Sequence, residues 1–331
     1  MAEPRPARPV VAVTRALPAA IEARMAELFD VRLNPGDRPL GRDALAAAMA
    51  EADILVPTIT DAIDAALLAG AGPRLRLVAN FGNGVDHIDL PAARARSILV
   101  TNTPGVLTED TADMAMALIL AVPRRLAEGE RLARSGRWEG WGPCAMLGHR
   151  IHGKTLGILG MGRIGQAVAR RARGFGLAVR YHNRRRLPAV VEQELGAAYE
   201  PELDALMAEA DILSVHAPHT PATHGLIGPR RLALMKPTAY LVNLARAGIV
   251  EEEALIAALD AGALAGAGLD VFAHEPAIDP RLAARDNVVL LPHMASATHE
   301  ARADTGARVI ANIRAWTDGH RPPDQVLEGW V

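Results

Sequence analysis

The most informative segment of this 331-residue sequence is Lys154-Thr-Leu-Gly-Ile-Leu-Gly-Met-Gly-Arg-Ile-Gly165. Its apolar first half is typical of a buried strand, and the pattern from Gln166 to Ala172 predicts a helix. Between them, Gly160, Gly162 and Gly165 have the spacing GxGxxG. A strand before this motif and a helix after it are the context in which the motif binds a dinucleotide, so we predict a nucleotide site here.

Each glycine of the motif has a steric purpose. Gly160 permits the tight turn, Gly162 lets the backbone approach a pyrophosphate, and Gly165 allows close packing of the helix on the strand. The pyrophosphate would lie at the N-terminus of the helix, where backbone N–H groups are free. We therefore assign cofactor binding to the whole motif: Gly160, Met161, Gly162, Arg163, Ile164 and Gly165.

The end of the next predicted strand, Ala178 to His182, indicates which dinucleotide is bound. It lies 17 residues after Gly165 (182 − 165 = 17), where an NAD site usually has an acid that binds the ribose hydroxyls. This sequence has instead Asn183-Arg-Arg-Arg186. Cationic side chains bind a 2′-phosphate that a carboxylate would repel. We therefore predict NADP(H) as the preferred cofactor, with NAD(H) as the alternative, and assign the ribose end to Asn183, Arg184 and Arg185.

The rest of the chain alternates short apolar runs with alanine-rich helical patterns. Runs lie at residues 10–13, 53–56, 75–79 and 98–101, and a helix is predicted from Pro18 to Phe29. Such alternation predicts βαβ units and parallel sheets covered by helices on both faces. The length favours two domains, and a seven-residue repeat at 49–55 and 207–213 indicates that they are similarly built. The predicted fold class is α/β, with two doubly wound parallel-sheet domains.

Composition and charge exclude several classes of protein. Hydrophobic residues make up 50% and charged residues 22%, which excludes a disordered chain. A net charge of −2 and 3% aromatic residues predict no nucleic-acid partner. The single cysteine, Cys144, excludes an internal disulfide. No signal peptide is recognisable and the most apolar stretch, residues 114–122, is too short for a membrane span, so we expect a cytoplasmic protein without a membrane partner.

A long helix is predicted to begin at Thr108. The Thr108 hydroxyl can cap the first N–H groups, and Glu109 and Asp110 suit the positive end of the helix dipole. The apolar pattern continues from Met114 to Leu126. A helix of this length could cross between domains or pack against a second subunit.

Charged side chains lie at the ends of three later predicted strands. These strands span residues 239–244, 266–271 and 287–291, and the charged residues are Arg246, Asp270, Glu275 and His293. Because the carboxyl ends of parallel strands meet at one edge of a sheet, we expect these side chains to converge on one crevice.

The sequence resembles the D-isomer-specific 2-hydroxyacid dehydrogenases over essentially its whole length. Four ordered motifs carry the resemblance: Gly160–Gly165, Val242–Gly248 with Glu251–Leu255, Gly268–Pro276 and Leu291–Ser296. Residues 138–143, 147–148 and 153–157 are also similar to the glyoxylate/hydroxypyruvate reductase branch. The resemblance implies a flavodoxin-like substrate domain, residues 1–103 plus 294–331, and a Rossmann nucleotide domain, residues 104–293. It also implies a cleft between them and a homodimer.

The resemblance gives three residues catalytic roles. Arg246 would hold the carboxylate and carbonyl groups of the substrate, for which a planar fork of donors is suited. His293 would be the general acid and base, because histidine titrates near neutral pH. Glu275 would accept a hydrogen bond from His293, orient it and favour its protonated form.

Other positions carry over to the cofactor and the substrate. The residues implied along the cofactor are Thr108, His216, Ala217, Pro218, Leu244, Ala245 and, at the nicotinamide carboxamide, Asp270. Two glycines free the N–H groups of a loop that can bind the substrate carboxylate, so the predicted substrate loop is Gly82, Asn83 and Gly84. Asn83 stands where the family more often has a small apolar residue. Trp141, or alternatively Trp138, would reach the active site of the neighbouring subunit.

Two histidine patterns have structural interpretations. We expect Asp86 and His87 to brace the loop that contains them rather than to form a catalytic dyad. His149 and His152 have the spacing of one helical face, but no acid is adjacent, and we predict no metal site.

The function predicted from the sequence is NADPH-dependent reduction of 2-keto acids, with glyoxylate and hydroxypyruvate as substrates and D-2-hydroxy acids as products. One alternative is an NAD-preferring dehydrogenase of the same family that acts on another acid. The other is a dinucleotide-sensing binding protein without catalysis. Turnover separates them, because a pure sensor would bind the cofactor and reduce no keto acid.

Overall fold

The computed structural model describes residues 8–327. Contacts divide the chain into two compact units, one of residues up to Leu107 together with those from Ala297 onward, and the other Thr108–Ser296. The boundaries expected from the sequence lie a few residues before these junctions. Each unit contains its own sheet and its own hydrophobic core.

The first unit is built on a five-stranded sheet in which every pairing is parallel. Its strands are β1 (Val10–Val13), β2 (Asp30–Arg32), β3 (Ile54–Val56), β4 (Leu77–Ala79) and β5 (Leu99–Thr101), in the order β2-β1-β3-β4-β5. Its helices are α1 (Ala19–Leu28), α2 (Arg42–Glu51), α3 (Ala65–Gly70), α4 (Leu90–Ala95) and a C-terminal helix (His299–Thr317). This strand order is that of flavodoxin-like sheets.

Helices cover both faces of this sheet. On one face, α2 and α3 bury Met49 and Leu68 against the strands. On the other face, α1 and the C-terminal helix bury Met25 and Ile313. All three residues of β3 are inaccessible to solvent, as expected for a parallel strand that is covered on both sides.

The second unit contains a seven-stranded sheet, again with every pairing parallel. Its strands are β6 (Thr155–Leu159), β7 (Ala178–His182), β8 (Ala197–Tyr199), β9 (Ile212–Val215), β10 (Tyr240–Asn243), β11 (Gly266–Leu269) and β12 (Val288–Leu290). Its helices are α5 (Thr108–Ala121), α6 (Leu126–Arg134), α7 (Arg163–Gly174), α8 (Ala189–Leu195), α9 (Leu203–Glu209), α10 (Pro229–Leu232), α11 (Glu252–Asp260) and α12 (Pro280–Ala283), which makes the C-terminal helix α13.

The strand order in this sheet, β12-β11-β10-β9-β6-β7-β8, changes direction beside β6. The chain builds outward from β6 to β7 and β8 on one side, and then from β9 to β12 on the other. Loops that leave β6 and β9 therefore diverge and open a crevice at the carboxyl edge of the sheet. The glycine motif follows β6 and residues 216–218 follow β9, so both border this crevice.

One predicted element is wrong at its C-terminal end. The helix that begins at Thr108 ends at Ala121 rather than continuing to Leu126, and a separate helix, α6, begins at Leu126. Pro123 explains the break, because proline disfavours helical backbone in the residue before it and cannot donate to the helix ladder. Arg125 then adopts φ +53°, in the left-handed region, which reverses the chain.

The predicted fold class is confirmed, since both sheets are parallel and doubly wound. The apolar runs predicted as strands match observed strands, and their ends differ by at most two residues. Between residues 8 and 327, no helix is both long and apolar enough to cross a membrane.

Candidate active site

The glycine motif forms the tight turn between β6 and α7. Gly160 has φ +97°, in the left-handed region, and a Cβ there would lie 2.5 Å from the backbone nitrogen of Ala217. A Cβ on Gly165 would lie 2.3 Å from the carbonyl oxygen of Gly160. The fold itself therefore requires glycine at both positions.

Gly162 differs from the other two motif glycines. Nothing in the described chain lies within 4 Å of a Cβ added to it, so the protein's own packing does not require glycine here. Gly162 precedes α7, whose first N–H groups have no acceptor within the helix and can bind a pyrophosphate. Arg163 is exposed beside them, Ile164 is half-buried and Met161 is buried beneath the turn.

The residues after β9 pack against the glycine turn. The His216 N–H donates to the Leu159 carbonyl at 2.8 Å, and Ala217 lies against Gly160. Nε2 of His216 is 2.8 Å from Oγ of Ser214, while Nδ1 is inaccessible and has no partner among residues 8–327. Burial lowers the pKa of His216 to about 4, so its imidazole is neutral near pH 7. The structure thus brings His216, Ala217 and the adjoining Pro218 to the glycine motif.

The turn after β7 carries three arginines and no acid. The Asn183 amide donates to the Arg185 carbonyl at 3.1 Å and shapes the turn. Arg184 and Arg185 are exposed, and neither guanidinium has an ion-pair or hydrogen-bond partner in the described chain. Arg186 is paired with Glu192 at 2.8 Å.

These groups fit a dinucleotide that carries a phosphate on its ribose. Gly162 leaves backbone open to a pyrophosphate, and the N-terminus of α7 supplies N–H donors. Arg184 and Arg185 supply two unpaired cations where an acid would accept from the ribose hydroxyls. The donors at the N-terminus of α7 and at the turn after β7 therefore both suit an anionic ligand.

His293 and Glu275 form a hydrogen-bonded pair beyond β11 and β12. Nδ1 of His293 is 2.8 Å from Oε2 of Glu275, and the Phe272 N–H donates to Oε1 at 3.0 Å. Burial raises the pKa of Glu275, but the hydrogen bonds from His293 and Phe272 outweigh it and leave the pKa below its usual value. The charge of Arg246 lowers this pKa further. Arg246, Glu275 and His293 follow β10, β11 and β12, which are neighbouring strands of the sheet, so they lie along one edge of it.

The geometry of this pair fixes the tautomer of His293. An ionised Glu275 can only accept, so Nδ1 must carry the proton of the shared hydrogen bond. Nε2 makes no hydrogen bond within the described chain. In the protonated imidazole Nε2 is a donor and in the neutral form it is an acceptor. The side chain can therefore give or take a proton at Nε2 while Nδ1 stays bound.

Asp270 holds the turn that carries His293. It is completely buried, and its two oxygens accept from the N–H groups of Met294 and Ala295 at 2.7 and 2.8 Å. Burial raises the pKa of Asp270, against the effect of these two hydrogen bonds. The assignment of Asp270 to the nicotinamide carboxamide stays a prediction, whereas its contacts give it a part in positioning His293.

Arg246 lies in the turn after β10, which Asn243 holds. The Asn243 amide donates to the Arg246 carbonyl at 3.0 Å, and its oxygen accepts from the Ala245 N–H at 3.0 Å. Leu244 is buried and Ala245 is half-buried beside them. Nη1 of Arg246 donates to the Ala245 carbonyl at 2.8 Å. Asn243 lies in the motif Val242–Gly248, but nothing in the sequence indicates that its side chain holds the turn.

The predicted substrate loop belongs to the first unit and follows β4. Side-chain amides hold its carbonyls from within: Asn80 donates to Gly82 and Gly84 at 3.0 and 2.8 Å, and Asn102 donates to Asn83 at 2.8 Å. The N–H groups of residues 82–84 have no acceptor among residues 8–327. Carbonyls turned inward and free N–H groups are the arrangement that binds a carboxylate.

Two further features of this loop were not visible in the sequence, whereas the place of His87 was expected from it. Oδ1 of Asn83 and Oγ1 of the buried Thr103 are inaccessible and have no partner in the described chain. Ile59 is 39% exposed, and its Cγ2 would lie 3.8 Å from a Cβ on Gly82. Nε2 of His87 lies 3.1 Å from Oδ1 of Asn80, which agrees with the expectation that His87 braces the loop.

The remaining predicted residues lie at exposed places or at helix ends. Thr108 begins α5, whose Glu109 pairs with Arg171 of α7 at 2.8 Å. Trp138 and Trp141 are 63% and 86% exposed, in a segment without helix or strand. Large aromatic side chains exposed to this extent are typical of contact surfaces.

Neither His149 nor His152 lies in a metal cluster. The ring centroid of His149 lies 6.5 Å from that of Tyr240, with the rings tilted by 53°, and His152 packs against Gly176. Among residues 8–327, no group of three or more His, Cys, Asp or Glu side chains is placed to hold a metal ion.

Comparison with known proteins identifies a family. The model of the D-isomer specific 2-hydroxyacid dehydrogenase NAD-binding domain matches residues 116–295. The chain is 46% identical over 323 residues to a glyoxylate reductase of Thermococcus gammatolerans, with 96% of each chain covered. It is 47% identical over 326 residues to a glyoxylate reductase of Aeropyrum pernix, again with 96% of each covered.

A solved structure has the same fold over nearly the whole chain. It is an NADPH-dependent glyoxylate/hydroxypyruvate reductase from Sinorhizobium meliloti in complex with NADP and malonate. The TM-score is 0.85 at 36% sequence identity, with 97% of this chain and 98% of that chain covered.

Proposed function

Because the chain belongs to the D-isomer-specific 2-hydroxyacid dehydrogenase family, we propose that it reduces glyoxylate and hydroxypyruvate with NADPH. The product of hydroxypyruvate would be the D-isomer, D-glycerate. Membership of this family makes the chain an NAD(P)-dependent oxidoreductase. The similarity to glyoxylate reductases along the whole chain supports glyoxylate as a substrate.

The observation that carries this proposal is the hydrogen bond of 2.8 Å between His293 and Glu275. The nicotinamide cofactor supplies a hydride to the carbonyl carbon when it is bound. His293 would donate the Nε2 proton to the carbonyl oxygen, and Glu275 would stabilise the imidazolium before that transfer. In the reverse direction the neutral Nε2 would accept the proton of the hydroxyl group.

Arg246 would bind the carboxylate and the carbonyl oxygen of the substrate. A guanidinium offers two parallel donors, which suit the planar end of a 2-keto acid. The loop of Gly82, Asn83 and Gly84 is the proposed carboxylate site of the first unit. Its free N–H groups support this role. We retain the first unit as the substrate domain and the second as the nucleotide domain.

NADPH is the proposed cofactor because of the turn after β7. Arg184 and Arg185 would bind the 2′-phosphate, and their lack of partners in the described chain supports this role. The exposed Trp138 and Trp141 support a homodimer, in which we propose that Trp141 reaches the neighbouring subunit.

The stereochemistry of the product tests the proposed reaction. Hydroxypyruvate and NADPH are incubated with the protein, and the glycerate formed is resolved by chiral chromatography. We expect D-glycerate as the only enantiomer. L-Glycerate, or no glycerate while NADPH still binds, would contradict the proposal, and the second result would favour a sensor.

A further inference from the structure

Glu192 lies beside the basic turn and binds one of its three arginines. It belongs to α8 and is only 8% exposed. Nε and Nη2 of Arg186 donate to its two oxygens at 3.0 and 2.8 Å, in a two-pronged ion pair. The hydroxyl of Tyr181, which is fully buried, donates to the same carboxylate at 2.6 Å. Glu192 therefore joins the turn to the core of the unit.

The contacts of Tyr181 and Tyr199 hold both ends of the turn. The Leu187 N–H donates to the hydroxyl oxygen of Tyr181 at 2.9 Å, at the end of the turn. The Tyr199 hydroxyl donates to the Asn183 carbonyl at 3.2 Å, at its start. The guanidinium of Arg186 lies 5.7 Å over the ring of Tyr199. Residues 183–187 are thus fixed at both ends, and Glu192 is the acid at the centre of the contacts.

Charges divide the three arginines into two classes. Glu192 neutralises Arg186, whereas Arg184 and Arg185 have no ion-pair partner in residues 8–327. The Arg186 guanidinium, together with the Tyr181 hydroxyl, holds the pKa of Glu192 below its usual value. Burial raises the pKa of Tyr181 to about 12, so its hydroxyl stays a donor at neutral pH. The pair is therefore ionised under working conditions.

A free carboxylate at this position would repel a phosphate bound by the turn. The ion pair removes that repulsion, and it engages Nε and Nη2 of Arg186 with Glu192. Arg184 and Arg185 are then the uncompensated cations of the turn among residues 8–327.

We propose that Glu192 is a positioning residue for NADPH. Through Arg186 and Tyr181 it fixes the turn so that Arg184 and Arg185, and not Arg186, bind the 2′-phosphate. This inference rests on the proposed preference for NADPH.

Binding of 2′,5′-ADP and 5′-AMP to the full chain tests the inference by calorimetry. The first ligand carries the 2′-phosphate and the second lacks it. We expect Glu192→Gln and Arg186→Gln each to raise the Kd for 2′,5′-ADP about tenfold and to leave the Kd for 5′-AMP within about twofold. The double variant should bind no more weakly than either single variant, because both changes break one contact.

A direct phosphate contact by Arg186 would give a different pattern. Arg186→Gln would then weaken 2′,5′-ADP while Glu192→Gln would not, or the two effects would add, and either result would overturn the inference. Unchanged binding in both variants would overturn it as well. If the wild-type chain binds both ligands equally, the proposed preference for NADPH is wrong, and the role proposed for Glu192 is wrong as well.

Arg186→Lys provides a second test in case substitution of the buried Glu192 prevents folding. Arg186 is an exposed side chain, so its replacement should not unfold the protein. Lysine keeps the charge but cannot make the two-pronged contact with Glu192. We expect Arg186→Lys to bind 2′,5′-ADP as weakly as Arg186→Gln. Binding close to that of the wild-type chain would identify Arg186 as a direct ligand and overturn the inference.

Discussion

His293 adopts a backbone conformation that costs energy. Its φ is +51°, in the left-handed region, which costs a residue with a Cβ about 1–2 kcal/mol. The buried carboxylate of Asp270 offsets this cost by binding the next two N–H groups, and Glu275 binds the imidazole itself. The ring is therefore held in place before any substrate arrives, as general acid catalysis requires.

Replacing His293 tests its role as the proton donor. We expect His293→Ala to lower kcat by about a hundredfold to ten-thousandfold, the usual contribution of a general acid. NADPH binding, followed by nucleotide fluorescence, should persist. His320→Ala is the matched control, since His320 is an exposed histidine at the end of α13. A His293→Ala variant with near-normal kcat would remove this residue from the mechanism.

Replacing Glu275 should change the pH dependence of the reaction. The pKa of Glu275 lies below its usual value, so at neutral pH an anion faces His293. Glu275→Gln leaves an amide that can still accept from Nδ1 but carries no charge. We therefore expect a lower kcat/KM for reduction at neutral pH, and a difference from the wild-type enzyme that shrinks in acid as the wild-type carboxylate becomes protonated. Profiles that coincide at every pH would show that the charge of Glu275 plays no part in the reaction.

At the scale of elements, the β6–turn–α7 unit separates two uses of glycine. Gly160 and Gly165 are required by contacts within the protein, whereas Gly162 faces open space. A substitution at Gly162 should therefore affect the ligand and leave the fold intact.

Gly162→Ala tests this separation. We expect the Kd for NADPH to rise at least about tenfold, because the added methyl group stands where the pyrophosphate approaches. The Tm should stay within about 2 °C, as for other unstrained surface changes. Gly174→Ala is the control, because a Cβ there also meets nothing within 4 Å but lies at the far end of α7. Unchanged NADPH binding in Gly162→Ala would disprove the location of the pyrophosphate.

Replacing Arg184 and Arg185 tests whether the turn after β7 binds the 2′-phosphate. Arg184→Ala combined with Arg185→Ala should raise the KM for NADPH at least about tenfold, since each removes a charge-assisted contact, and should change the KM for NADH little. Arg170→Ala, on the outer face of α7, is a control with the same loss of charge per residue. Equal effects on both cofactors would rule out a 2′-phosphate site at this turn.

The elements were predictable because buried parallel strands appear as short apolar runs. β6, β7 and β10 are recognisable in this way, and the glycine spacing identifies the turn after β6. The break after Ala121 was missed although Pro123 signals it, because the apolar pattern continues past the proline. The apolar pattern predicts a continuous helix there, but the proline ends it.

The contacts around the candidate site were harder to predict than its residues. Glu192 and Ile59 lie in no motif, and their neighbours are set by how helices and loops return to the sheet. Arg186 could not be told from Arg184 and Arg185 in the sequence, because only the position of α8 brings Glu192 to it.

At the scale of the whole molecule, each unit carries an exposed acid with a strongly lowered pKa. The Arg42 guanidinium lowers the pKa of Asp64 to about 2 in the first unit. Arg230, with Arg231, lowers the pKa of Asp204 to about 2 in the second. A lowered pKa stabilises the fold above the unfolded value of 3.8, and this contribution is lost as the pH falls through about 2.

Thermal unfolding of Arg42→Ala and Arg230→Ala measures these contributions. Above pH 4 each variant should have a slightly lower Tm than the wild-type protein, since exposed ion pairs contribute little. The difference should shrink as the pH is lowered toward about 2, because the carboxylates become neutral. A difference that grows in acid would mean that the arginines stabilise the units in some other way.

Initial rates with the two reduced cofactors measure both the activity of the protein and its preference for NADPH. Glyoxylate is supplied with NADPH or NADH at matched concentrations, and the loss of nicotinamide absorbance is followed. We expect rapid oxidation of NADPH and of NADH at saturating concentrations, and a much higher kcat/KM with NADPH. Faster turnover with NADH would contradict the cofactor assignment, and no turnover with either cofactor would contradict the proposed enzyme itself.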